Sequence, residues 1–271
     1  MRGWQLIIAA LPVAAIAAIA LLVPWLGLPD PTQINVAQRL SPPSWTNLLG
    51  RDEFGRDVLS QLLWGARVSL TIALASAALS CLVGSAIGIM GGYFRGLAEL
   101  VSMRSADIIL CFPPLLLALL VVTLLGPGAL TLVPVLALVY LPNFVRIAYA
   151  TVLSIRSLEY VEAARSLGER PTRILARTIL PNAVGPILVQ FSLSAAATIV
   201  MEAGLSFLGL GVVPPAPSWG LMIASGRGTM GSAPWLLMAP CAALMLTILA
   251  MNRLCDALGA STTPPDRGAA T

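Results

Sequence analysis

The sequence predicts an all-α membrane protein with six spanning helices. Three observations predict it: 58% of the 271 residues are hydrophobic, only 10% are charged, and the charges leave long empty stretches. No charged residue falls between Arg2 and Asp30, Arg67 and Arg95, Asp107 and Arg146, Arg177 and Glu202, or Arg227 and Arg253. A helix needs roughly 20 apolar residues to cross the hydrocarbon core. Spans are therefore expected near 5–26, 68–90, 107–125, 130–147, 183–203 and 234–252.

The first span follows Met1-Arg2 and could be read as a cleavable signal peptide. Its apolar run to Pro24 is too long for that and lacks a polar break before a small-residue cleavage site, so an uncleaved helix is expected. With the external amphipathic segment that follows, it makes an N-terminal unit over 1–67; the remaining five spans form a core over 68–256. The second span carries Ser76, Ser80, Gly84, Ser85, Gly88 and Gly91-Gly92, small residues at steps that let helices approach closely. Pro113-Pro114 in the third span and Pro186 in the fifth remove backbone donors and are expected to kink them. Between the third and fourth spans, Gly126-Pro127-Gly128 suits a tight reversal. The segment from about Val212 to Ser232, rich in Pro and Gly, is expected to be an outer loop for docking or gating. Residues 257–271 are expected to form a disordered tail.

Orientation follows from the basic residues, all sixteen of which are arginine. With the N-terminus inside, the cytoplasmic side receives Arg2, Arg95, Arg104, Arg146, Arg156, Arg165, Arg170, Arg173, Arg177, Arg253 and Arg267. The outside receives only Arg39, Arg51, Arg56, Arg67 and Arg227. The positive-inside rule thus places both termini in the cytoplasm. The net charge of +4 is this topology bias, and no basic cluster is interleaved with aromatics as a nucleic-acid surface would require.

Absences narrow the function. Without His there is no Ser-His or Cys-His pair, no HExxH zinc site and no His-ligated haem; without Lys there is no GxxxxGK[ST] phosphate loop. The chain is not its own conventional ATPase, and no metal or cofactor is expected on it. Cys81, Cys111, Cys241 and Cys255 lack CxxC spacing and read as small packing residues.

A charged island interrupts the apolar blocks at Glu159-Tyr160-Val161-Glu162-Ala163-Ala164-Arg165-Ser166-Leu167-Gly168. Ser157 is expected to cap a short helix there, Gly168 to take the left-handed position past its end, and Pro171 to begin the next helix. Ala163 and Ala164 keep one face slim enough for another protein, while Glu159, Glu162, Arg165 and Glu169 supply charges that set docking register.

These residues resemble the EAA loop in the membrane subunits of binding-protein-dependent ABC importers: Glu162-Ala163-Ala164, then Gly168, then Leu180-Pro181 at matching spacing. The family's Ile position holds Thr178, with Ile179 beside it. Two further stretches resemble the C-type permeases for dipeptides, oligopeptides and nickel. One runs from Leu49 through Gly50-Arg51-Asp52-Glu53-Phe54-Gly55-Arg56-Asp57 to Leu70, the other from Glu202-Ala203-Gly204-Leu205-Ser206-Phe207 to Trp219-Gly220.

The resemblance implies a type I ABC importer permease fold in a bacterial inner membrane. It implies a pore-forming subunit with no catalysis of its own, taking up di- or oligopeptides, or else nickel, haem or another small solute. Implied partners are a B-type permease, two ATP-binding subunits or one fused ATPase carrying ATP and Mg, an extracytoplasmic binding protein and lipid. Glu159, Glu162, Ala163, Ala164, Gly168, Leu180 and Pro181 would couple to the ATPase. Glu202, which ends a charge-free run, and Trp219 in the outer loop are candidates for the translocation path or gate, although for Glu202 a structural pair with an arginine elsewhere in the complex is the favoured expectation.

Overall fold

In a computed structural model, described for residues 2–262, the chain is a bundle of α-helices. α1 spans Arg2–Leu22, α2 Val58–Phe94, α3 Leu97–Leu110, α4 Pro114–Leu125 and α5 Ala129–Arg156. Then follow α6 (Glu159–Ser166), α7 (Pro171–Ile174), α8 (Leu180–Phe207), α9 (Trp219–Gly228) and α10 (Trp235–Thr262). A π-turn over Leu175–Ile179 joins α7 to α8, so that Pro171–Phe207 runs as one helix of 37 residues.

Five helices are long and apolar enough to cross a membrane, and the pair α3–α4 makes a sixth crossing if taken as one bent span. The packing of α2 on α5 decides that α3 and α4 do cross together. Gly84 lies against Leu141 and Phe144, Gly88 against Val145 and Ala148, and Gly92 against Tyr149 and Val152. Both numbers rise together, so the two helices run parallel, and the chain between them must return to its starting side. The glycines fit because a Cβ at Gly84 would come within 2.8 Å of the Leu141 carbonyl, and one at Gly88 would meet the Val145 carbonyl closer still. Ser80 adds a hydrogen bond from its Oγ to the Ala137 carbonyl, 2.7 Å away. The small-residue stripe thus holds one specific helix pair.

Several expected boundaries move. The third span, expected over 107–125, is two helices bent by 87°, and its first helix starts at Leu97. Pro113 and Pro114 explain the break: neither donates a backbone hydrogen bond, and each pushes its predecessor out of helical geometry. α3 is then pinned to α5 by Tyr149, whose hydroxyl donates to Glu99, and by Arg146, whose guanidinium reaches Asp107 at 2.7 Å. Asp107 also pairs with Arg104, one turn before it on α3, at a looser 3.9 Å.

α2 and α5 extend beyond their expected apolar cores, because helical hydrogen bonding continues where neighbouring helices cover it. α10 likewise runs to Thr262, through the first six residues of the expected disordered tail; residues 263–271 of that tail lie outside the described residues. The outer loop expected over Val212–Ser232 contains α9, capped by Ser218, whose Oγ accepts from Leu221 N at 3.3 Å. Of the four cysteines, Cys255 is buried and Cys81 half-buried, whereas Cys111 and Cys241 are exposed and do not pack inside the chain.

Four apolar clusters fill the bundle. At the α6 end, Tyr93, Phe144, Ala148, Val152 and Val161 meet Ile174, Ile179 and Ala183. At the opposite end, Ile72, Leu132, Leu136, Leu205 and Val212 form one cluster, and Val58, Leu70, Ile199, Trp219 and Leu236 another. Ala77, Ala195, Ala196 and Met251 join α2, α8 and α10 between them. α1 packs on α2 and α10 through Val13, Ile16 and Ala20, leaving Leu11, Ile19 and Leu21 exposed for lipid.

The segment between α1 and α2 owes its shape to Asp52. Its carboxylate accepts from Phe54 N, Arg56 N, Arg56 Nε and Gln61 Nε2 at 2.7–3.0 Å. Arg51 donates to the Gly55 carbonyl, and Asp57 caps α2 by accepting from Ser60 N at 2.8 Å. Arg51, Asp52, Arg56 and Asp57 are thus engaged within the segment and the start of α2.

Candidate functional site

α5 ends at Arg156, and Ser157 closes it by donating to the Ser154 carbonyl at 2.9 Å. Ser157 was expected to cap α6, but it faces backward. Leu158 is the capping position, with no side-chain cap bond; its carbonyl accepts from Val161 and Glu162. What seats α6 is packing: Val161 is fully buried against Ile174 and Ile179, with Ala164 half-buried beside it. Arg165 lies 5.1 Å from the Tyr93 ring, a cation–π contact that ties α6 to the end of α2.

The end of α6 is a Schellman turn. Gly168 N donates to the Arg165 carbonyl and Glu169 N to the Ala164 carbonyl, at 2.9 and 3.1 Å. This geometry needs Gly168 at φ +78°, a conformation in which a side chain is strained. Arg170 then stands extended, and Pro171 opens α7 at a position where its missing N–H costs nothing.

The outward face of this loop carries Glu159, Tyr160, Glu162 and Ala163, all exposed. Neither glutamate forms an ion pair among the described residues, whereas Glu169 pairs with Arg173 at 3.7 Å. Beside this face lies an open groove of about 1140 Å³ lined by Tyr160, Ala163, Leu167, Arg170, Arg173 and Arg177, among others. The structure therefore brings Glu159, Glu162, Ala163 and Gly168 onto one accessible protrusion, while Ala164, expected on the same face, turns inward against the core cluster. Leu180 and Pro181 are exposed too, at the start of α8.

The π-turn explains the departure at Thr178. In a regular helix a residue four beyond Ile174 would point the same way; in a π-turn the residue five beyond does. Ile174 and Ile179 are both buried in the same cluster, while Thr178 is only half-buried and its carbonyl accepts from Asn182 Nδ2 at 2.6 Å. The inward isoleucine is present, shifted by one residue.

Glu202 and Trp219 come together at the opposite end, and neither faces an open path. Glu202 is 0% and Trp219 2% exposed. Trp219 Nε1 donates to the Leu62 carbonyl at 3.0 Å, and its backbone N reaches Ser69 Oγ at 3.4 Å. Ser206 Oγ donates to Glu202 Oε1 at 2.8 Å and accepts from Val212 N at 3.1 Å. No arginine pairs with Glu202 among the described residues. Oε2 has no hydrogen-bond partner among the described residues, and the hydroxyls of Ser69 and Ser218 accept from Trp219 N and Leu221 N. Sequence reasoning missed this arrangement, because its members come from α2, α8 and the start of α9.

Among the described residues no group of three or more His, Cys, Asp or Glu is placed to hold a metal. The geometry is that of a bundle of membrane-spanning helices with a charged, ordered loop exposed at one end. The chain belongs to the family of binding-protein-dependent transport system inner membrane components, whose model matches residues 84–263. It is 40% identical over 257 residues to the di/tripeptide transport system permease protein DppC of Pseudomonas aeruginosa, covering 93% of this chain and 85% of that one. It is 39% identical over 222 residues to the glutathione transport system permease protein GsiD of Pectobacterium atrosepticum, covering 82% of this chain and 74% of that one. The fold resembles that of a methionine ABC transporter in an inward-facing conformation, with TM-score 0.64 and 17% identity over 76% of this chain and 98% of that one. The chain is thus a multi-pass inner-membrane permease subunit of a heteromeric ABC importer, and its type I permease fold is shared with these transporters.

Proposed function

We propose that this subunit forms half of a pathway through which di- or oligopeptides enter the cell. The observation that carries it is the α6 loop: a seated, exposed helix with two glutamates that have no ion pair among the described residues, a slim face at Ala163 and a fixed turn at Gly168. Such a helix offers register-setting charges to another protein without needing to fold on contact. α6 and both termini lie in the cytoplasm, following the arginine distribution. There α6 meets an ATP-binding subunit, of which the complex carries two, or two fused in one chain. A B-type permease supplies the other half of the pathway, and an extracytoplasmic binding protein delivers substrate to the opposite end. The relatives named for di/tripeptides and glutathione support a short peptide as cargo.

In this reading closure of the ATPases on ATP displaces α6. Because Pro171–Phe207 is one continuous helix, the displacement is carried along it towards the opposite end. This chain moves and lines the path; the chemistry of hydrolysis belongs to its partners.

The test is ATP hydrolysis by the reconstituted complex, with its binding protein presented empty, peptide-loaded, nickel-loaded or haem-loaded. Stimulation by the peptide-loaded form alone is expected. Stimulation only by another loaded form would keep the importer and discard the peptide.

A further inference from the structure

Positive charge gathers at the α6 end of the bundle, and the chain does not answer all of it. α2 and α5 run parallel with a contact every four residues, the last of them Gly92 on Tyr149 and Val152. One more turn brings Arg95, just past the end of α2, beside Arg156, the last residue of α5. Arg165 joins them from α6, held over the ring of Tyr93. The charges of Arg95 and Arg165 both bear on Arg156 and repel it. Glu99 of α3 opposes them, but it is already occupied: it accepts from the Tyr149 hydroxyl and from Arg95 Nε at 3.3 Å. Three guanidiniums less one carboxylate leave two positive charges over. The shortfall is visible at an atom. Arg156 Nη1 is sealed from solvent with no hydrogen-bond partner among the described residues, although the residue as a whole is only half-buried and reaches the surface. A charged donor left unpaired is costly, so an anion brought to this edge is stabilised.

Beside the arginines α3 turns an apolar strip outward. Leu97, Leu100, Val101 and Ile108 are each more than half exposed, as is Phe94 just before them. Their spacing puts the four α3 residues on one side of the helix. The other side is spoken for, because Ala98 and Ser102 lie against Gly91 of α2 and Glu99 meets Tyr149 of α5. From Leu97, two residues past Arg95, the strip runs about 16 Å to Ile108 at 1.5 Å per residue. That is about the depth of hydrocarbon in one leaflet. An acidic protein segment would answer the arginines and leave the strip bare. A phosphate carried on acyl chains answers both.

We propose that the ends of α2 and α5 form a binding site for an anionic phospholipid, its phosphate held by Arg95 and Arg156 and an acyl chain laid along Leu97, Val101 and Ile108. Guanidinium donors match phosphate oxygens in pairs, which suits arginine to this task. Arg165, already engaged with Tyr93, adds to the field rather than to the contact.

The experiment places the complete complex in vesicles of phosphatidylglycerol and phosphatidylcholine in equal amounts, with a photoreactive group on the acyl chain of one lipid or the other. Phosphatidylglycerol is expected to label the 97–108 stretch in preference to phosphatidylcholine. Arg156→Gln lowers that preference about fivefold, the usual worth of one basic residue near an anionic headgroup. Arg156→Lys keeps most of it, and Arg39→Gln, at the other end of the bundle, leaves it unchanged. If Arg156→Gln does not assemble, Arg95→Gln, at a half-exposed position, carries the same expectation. Equal labelling by the two lipids, or a preference that the glutamine variants leave intact, would overturn the proposal. So would loss of the preference on adding inorganic phosphate, which would mark a site for free anions. An α3 that neither lipid labels would overturn it too, and would mark a face covered by another subunit.

Discussion

Glu162 and Glu202 sit near the two ends of the same mechanical unit, and the chain treats them in opposite ways. Glu162 projects from α6 with no ion-pair partner among the described residues, on a surface open to another protein. Glu202 is sealed between α2, α8 and α9 and bonded to Ser206. An exposed charge contributes little to stability but much to the choice and register of a partner. A buried one must be answered by its own chain, and so binds elements together. In the function proposed here, that difference separates the part of the molecule offered to a partner from the part its own chain holds together.

The sharpest way to break this comparison is at Gly168. Gly168→Val forces a β-branched residue to φ +78°, at a cost of about 1–2 kcal/mol. Nothing lies within 4 Å of the added Cβ, so the effect is confined to the turn. Peptide uptake by whole cells is expected to fall at least about tenfold with the subunit still in the membrane; normal uptake would mean that the turn does not shape the docking face.

Gly88→Leu attacks the middle of the unit instead. A side chain there meets the Val145 carbonyl and Ala148, and overpacking of this kind costs typically 1–3 kcal/mol. A lower melting temperature of the purified complex is expected, whatever the state of α6. Trp219→Phe sharpens the description of the buried end: it deletes the bond to the Leu62 carbonyl and should cost about 1 kcal/mol, read as denaturant sensitivity. Asp107→Asn is expected to have the smallest effect, under about 1 kcal/mol, because the pair with Arg146 is half-exposed. A double-mutant cycle with Arg146→Gln measures it, and a coupling well above that value would mark the α3–α5 pin as buried in the assembled importer.

The α6 loop was legible because its signals are local: a helix-forming run, a glycine at the end, a proline to restart, and fixed spacing to Leu180-Pro181. Even the one departure, Thr178, resolves locally once the π-turn is seen, since it moves Ile179 onto the inward face. The bent crossing was half-legible. Pro113-Pro114 announced a break, but its 87° angle depends on pins to Tyr149 and Arg146, residues far along the chain. α9 hid in a stretch dense in Pro and Gly, although Pro217-Ser218-Trp219 spelled a helix start for a reader who looked for a cap. The burial of Glu202 left no local trace, because it depends on α2 and α9 packing against α8.

The central claim is that α6 is the surface through which an ATP-binding partner works this chain. It is tested most directly by placing a photo-reactive side chain at Ala163 in the intact complex and identifying what it captures in native membranes. Capture of the ATP-binding subunit, weakened by Gly168→Val, is the predicted result. Capture of the extracytoplasmic binding protein, or of no subunit while the complex imports normally, would contradict it.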